Sequence, residues 1–149
     1  MLRILAAFIF FTRLPFWRLA EVPSEYFKNV VSRWALVGWL TAGLSVIVLY
    51  TVSLILPASV AVLLAIVTRL LITGCLHEDG LADFFDSFGG GTSRERILSI
   101  MKDSHIGSYG VIGLILYFAL LYTLLSSLPL TLAGSAILAG DPFSKGVAG

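Results

Sequence analysis

Long uncharged apolar runs alternate with short polar stretches along this chain. Trp34 to Leu56 is 23 residues without a charged side chain, and Ile106 to Leu128 is another 23. Each is long enough to cross a hydrocarbon core of about 30 Å as a helix. Ser59 to Leu76 is a shorter third run, interrupted only by Arg69. The pattern predicts three membrane spans, with Arg69 either packing the bundle or partnering an acidic cluster nearby. Met1 to Phe11 carries Arg3 and a short apolar run, followed by Thr12-Arg13-Leu14-Pro15-Phe16-Trp17 and no small-residue cleavage site. It is expected to be a retained interfacial or re-entrant helix rather than a signal peptide. Beyond Leu128, Pro129 to Gly140 holds about 12 mostly apolar residues, too few for a fourth full span.

Composition agrees. Hydrophobic residues make up 58% and charged residues 13%, against a charged share of about 25% in soluble domains, and the mean hydropathy is +0.96. A net charge of +1 hides an asymmetry. Arg13, Arg18, Lys28 and Arg33 crowd segment 13–33, and Arg94, Arg96 and Lys102 fall in segment 77–105. The turn at Pro57 has no basic residue. The positive-inside rule makes both polar segments cytoplasmic and the first two spans a hairpin. Cys75, the single cysteine, is expected to be a packing residue. The expected fold is all-α: an incomplete polytopic membrane bundle of three spans, an N-terminal helix and a cytoplasmic acidic loop, forming one membrane domain over 1–149.

Six of the nine acidic residues, Glu78, Asp79, Asp83, Asp86, Glu95 and Asp103, fall within 26 positions. If 78–86 is helical, Asp79, Asp83 and Asp86 share one face within roughly a 60° wedge. Their repulsion can be relieved by protonation, by basic partners or by a divalent cation, and carboxylates suit Mg²⁺ together with substrate phosphates. A solvated helix face is the plainer alternative, opposed by the apolar Leu81, Ala82, Phe84 and Phe85. Ser24 is a plausible N-cap. Thr92 with Glu95 matches a capping box, which makes Glu95 structural. Gly89-Gly90-Gly91 reads as a flexible break. Gly107, Gly110 and Gly113 form a stripe suited to close helix packing, with phosphate cradling by Gly107 the weaker option. A zinc site finds little support, because His77 and His105 are far apart and no H-E-x-x-H or cysteine pair is present.

Asp79, Asp83, Asp86 and Asp103 are thus interleaved with Arg94, Arg96, Lys102 and His105, with His77 at the start. Phosphoryl transfer uses this mixture, in which metal and cations neutralise phosphate charge and a carboxylate or His takes a proton. His77-Glu-Asp79-Gly80-Leu81-Ala82-Asp83-Phe-Phe-Asp86, then Arg94-Glu95-Arg96, then Ile100-Met101-Lys102-Asp103-Ser104-His105-Ile106-Gly107-Ser108-Tyr109-Gly110 closely resembles the signature of the cobalamin synthases, adenosylcobinamide-GDP ribazoletransferases. Phe11-Thr12-Arg13-Leu14-Pro15 is similar to that family's N-terminal motif.

The resemblance implies an Mg²⁺-dependent enzyme of the bacterial cytoplasmic membrane, and the charge asymmetry leads to the expectation that its acidic loop faces the cytoplasm. It would join adenosylcobinamide-GDP to α-ribazole or its 5′-phosphate and release GMP. Asp79, Asp83, Asp86 and Asp103 would be metal-binding and catalytic, and Arg94, Arg96, Lys102, His105 and His77 would bind substrate. Glu78, Phe84, Phe85, Ser87 and His105 depart from the residues usual in the family. Members are roughly 250 residues long, so an N-terminal portion is expected. No nucleic-acid partner is expected, and self-association is left open. A CDP-alcohol-type membrane phosphotransferase and a divalent-cation transporter are the alternatives.

Overall fold

A computed structural model describes residues Met1–Ala148, which are helical with no strand among them. The helices are α1 (Leu2–Phe11), α2 (Trp34–Ser53), α3 (Ala58–Thr73), α4 (Leu76–Gly90), α5 (Arg94–Ile100), α6 (Ser108–Ser127) and α7 (Leu130–Ala148), with short 3₁₀ turns between α1 and α2. Val31–Ser53 and Ser108–Ser127 are each long and apolar enough to cross a membrane, and Ala58–Thr73 is an apolar helix followed directly by α4. The chain forms two compact units, one of Met1–Gly74 with the chain from Leu125 onward, the other of Cys75–Leu124.

In the first unit, α1 is short but anchored. Ala6, Ala7 and Phe11 are buried with Val30 and Val37, and Phe8, Tyr26, Phe27 and Trp34 pack around them. Phe11 stacks on Trp34 with ring centroids 5.1 Å apart. The helix stops at Thr12, whose hydroxyl turns back to donate to Phe8 O at 2.7 Å. The next amide, Arg13 N, leaves the helix and donates to Ile72 O of α3 at 2.7 Å. Ser24–Asn29 is a 3₁₀ helix entered from Pro23 without a side-chain cap, so the N-cap expected of Ser24 is not made.

Helix α2 packs against both α3 and α7. Its buried face is largely small or hydroxylated, with Gly38, Thr41, Ala42 and Ser45 beside Val37, Val46 and Leu49. That composition lets backbones approach closely where dispersion, not water exclusion, must hold helices together. At Gly38 a Cβ would sit 2.5 Å from Pro142 Cα. Opposite faces carry exposed Trp39, Ile47, Leu63 and Leu71, as a bilayer solvent requires. Helix α3 begins after Pro57 and ends at Gly74, which with Cys75 adopts left-handed backbone at φ 63° and 61°.

Helix α7 runs continuously through the segment that the hydropathy pattern leaves as too short for a span, and it brings a buried acid with it. Asp141 accepts from Lys145 Nζ and from the Thr41 hydroxyl, and Arg69 Nη1 lies 3.7 Å from its Oδ1. Asp141, Lys145 and Thr41 are all buried. Arg69 thus packs the bundle, the first of its two expected roles. An uncompensated charge among apolar helices is costly, and removing one member of a buried pair strands the other. Asp141→Ala should therefore destabilise the protein by about 3 kcal/mol, and Asp141→Leu combined with Lys145→Leu should recover much of that loss. Unfolding in detergent micelles measures both, and an unchanged midpoint for Asp141→Ala would show that the buried ions contribute nothing.

Candidate functional site

The second unit contains every residue expected at the site. Cys75 gives way to α4, whose first turn carries Glu78 and Asp79, acids that complement the positive end of a helix dipole. His77 and Glu78 also lie in this turn, with Glu78 buried at 5% exposure. Asp79, Asp83 and Asp86 follow at i, i+4 and i+7, so the helix required to place three carboxylates on one face is present. Asp79 is exposed, Asp83 half-buried and Asp86 buried.

Asp86 is tied down through both oxygens. Its Oδ2 accepts from Gly107 N at 2.7 Å and its Oδ1 from Gly110 N at 2.8 Å. Gly107 stands just ahead of α6 and Gly110 in its first turn, where backbone N–H groups have no partner within the helix. The carboxylate of one helix thus caps the next, and its charge faces the positive end of the dipole. The close approach needs glycine: a Cβ on Gly107 would lie 2.5 Å from Asp86 Oδ1, and one on Gly110 would strike the same carboxylate. A Cβ on Gly113 would run into the Phe85 ring. The glycine stripe therefore serves close packing, as its spacing predicts, while the group that Gly107 cradles is the protein's own carboxylate.

Desolvation pushes the Asp83 carboxyl above its ordinary value, and the negative charges of Asp79 and Asp86 push the same way. Among the described residues no three His, Cys, Asp or Glu come together as a metal cage. Asp86 is committed to α6, and Asp103 to His105. The remaining pair, Asp79 and Asp83, still fits Mg²⁺, which usually takes only one or two carboxylates and completes its shell with water and phosphate oxygens.

Helix α5 packs against α4, with Ile97 close to Gly91 and Ile100 3.7 Å from where a Gly90 Cβ would stand. Helix α4 extends through Gly90, so the triglycine segment is mostly helical rather than a break. The cap of α5 is Ser93, whose hydroxyl accepts from Arg96 N at 3.2 Å. The expected cap was Thr92, one residue earlier. The shift moves Glu95 from the third to the second helical position, out of capping-box register. Arg94, Arg96 and Lys102 are all exposed, available to an anionic ligand.

Asp103 and His105 form an exposed pair, Oδ1 to Nδ1 at 2.6 Å, and the His105 amide donates to the same oxygen at 3.1 Å. The hydrogen bonds from His105 hold the Asp103 carboxyl below its ordinary value, and the bond to Asp103 raises the imidazole. The raised imidazole favours the folded arrangement below its ordinary value near 6.5 and loses that contribution as pH climbs through its raised folded value. The lowered carboxyl contributes above 3.8 and fails as pH falls through its lowered folded value.

Two outcomes test this geometry. Asp86→Ala should expose the Gly107 and Gly110 amides, accelerating their hydrogen exchange by about tenfold; unchanged protection at both would remove Asp86 from its anchoring role. In an NMR titration His105 should ionise above 6.5 and shift down in Asp103→Asn, whereas identical curves would dissolve the pair.

Comparison with known proteins places this arrangement in a lineage. The family model described as cobalamin-5-phosphate synthase matches residues 3–148. A protein of Shewanella sp. strain W3-18-1 named adenosylcobinamide-GDP ribazoletransferase is 46% identical over 147 residues, covering 97% of this chain and 56% of its own length. The relative of that name in Shewanella putrefaciens strain CN-32 matches equally, and that of Shewanella oneidensis is 44% identical over 142 residues, covering 93% of this chain and 54% of its own length. The chain spans little more than half the length of these relatives. No solved structure matches it. The alternatives of a CDP-alcohol phosphotransferase and a cation transporter are not favoured by these matches. With its order of motifs and nearly its whole length matched, the chain belongs to the cobalamin-5-phosphate synthase family.

Proposed function

We propose that this chain supplies the phosphate-handling portion of an adenosylcobinamide-GDP ribazoletransferase. In that reaction a ribose hydroxyl of α-ribazole, one that is also free in its 5′-phosphate form, attacks the cobinamide-linked phosphate of adenosylcobinamide-GDP and gives up its proton. A P–O bond forms there as the pyrophosphate bond breaks and GMP leaves. The observation that carries the reading is the acidic face of α4, where desolvation, with the charges of Asp79 and Asp86 behind it, raises the Asp83 carboxyl, beside the exposed cations of α5. Its support from outside the structure is the relatives' shared name.

Asp79 and Asp83 are the residues that would hold Mg²⁺, which when bound supplies positive charge to phosphate oxygens and eases their displacement. Arg94, Arg96 and Lys102 bind the remaining phosphate charge, the guanidinium groups being suited to two oxygens at once. Asp103 orients the His105 ring and keeps it protonated over a wider pH range, which makes His105 a further phosphate donor in acidic to neutral solution. Asp86 holds α4 against the start of α6, fixing the backbone from which Asp83 projects. One carboxylate of the group accepts the proton of the attacking hydroxyl. By the positive-inside asymmetry, this segment faces the cytoplasm from the bacterial inner membrane.

The test uses the chain extended by the remaining length of the Shewanella oneidensis relative, assayed in membranes with adenosylcobinamide-GDP, α-ribazole and Mg²⁺. Asp83→Asn removes charge while keeping shape and should lower turnover at least about a hundredfold without loss of membrane insertion. Near-normal turnover of that variant at saturating Mg²⁺ would defeat the proposal.

A further inference from the structure

A second polar site lies in the first unit, away in sequence from the residues of the 77–105 segment. A cavity of about 660 Å³ is lined by Arg3 of α1, by Glu25, Tyr26, Lys28 and Asn29 of the 3₁₀ helix, and by Arg33 just ahead of α2. Three cations face it against one carboxylate. Among the described residues, Arg3, Lys28 and Arg33 make no ion pair. Chain segments far apart in sequence have thus been folded so that like charges converge, an arrangement that costs energy until an anion enters.

The level of the cavity identifies the anion. Arg33 is the last residue before α2, and the apolar span begins at Val31, so the cavity opens where a membrane span meets the polar interface. On the same unit, α1 and the turn after it expose Met1, Ile4, Phe10 and Trp17, which suit the boundary between headgroups and acyl chains. A free phosphate would need the cations but would make no use of these apolar neighbours. A lipid uses both. We propose that the cavity binds the phosphodiester headgroup of an anionic phospholipid. Arg3, Lys28 and Arg33 would compensate its charge, and Asn29 and the Tyr26 hydroxyl would offer neutral donors.

Binding of labelled phosphatidylglycerol and phosphatidylcholine to the detergent-solubilised chain tests this directly. Phosphatidylglycerol should be held about tenfold more tightly than phosphatidylcholine, and Lys28→Gln with Arg33→Gln should remove most of that preference. Arg18→Gln alters the charge of the same loop without touching the cavity and should leave it intact. If the double variant loses helical circular dichroism, Arg3→Gln, on the exposed face of α1, gives the same reading. Equal retention of both lipids would overturn the proposal. So would an equal loss in Arg18→Gln, which means diffuse attraction, or displacement of the lipid by millimolar inorganic phosphate, which means a soluble occupant.

Discussion

Charge inside an apolar helical assembly must be answered locally, and the first unit is arranged around one such answer. Asp141 sits between Lys145 on its own helix, Thr41 on α2 and Arg69 on α3. Three helices therefore contribute to a single electrostatic knot, and the small-residue face of α2 lets them come near enough to tie it. Neither condition suffices alone. Without glycine and hydroxyl residues on α2 the backbones would stand too far apart, and without the ions the close-packed faces would fix no particular rotation of α7 about its axis.

The second unit meets the same constraint by a different device. Asp86 is balanced by two backbone amides and the dipole behind them rather than by a side chain. This separates carboxylates that look equivalent in sequence. Asp86 holds two helices together, Asp103 restrains an imidazole, and Asp79 and Asp83 stand on the same helix face as Asp86, one exposed and one half-buried.

Much of this was legible in the residues. The spans at 34–56 and 106–128 announced themselves by length without charge, and the α4 face by its i, i+4, i+7 spacing. The glycine stripe pointed correctly to close packing. Helix α7 was less visible because Pro142 and several glycines dilute its apolar signal; the i, i+4 spacing of Asp141 and Lys145 was the clue that could have found it. The cap at Ser93 differs from Thr92 by one position, a distinction set by backbone angles that adjacent hydroxyl residues do not reveal. That Asp86 would accept from Gly107 and Gly110 could not be read at all, since it depends on contacts more than twenty residues apart.

That last contact also bears on how such a chain can change over generations. A side chain at position 107 or 110 collides with the carboxylate at 86, while loss of the carboxylate strands two amides. A change at any one of these positions alone gives up the contact between the carboxylate and the two amides. Positions 86, 107 and 110 should accordingly be inherited as one character, changing together or not at all.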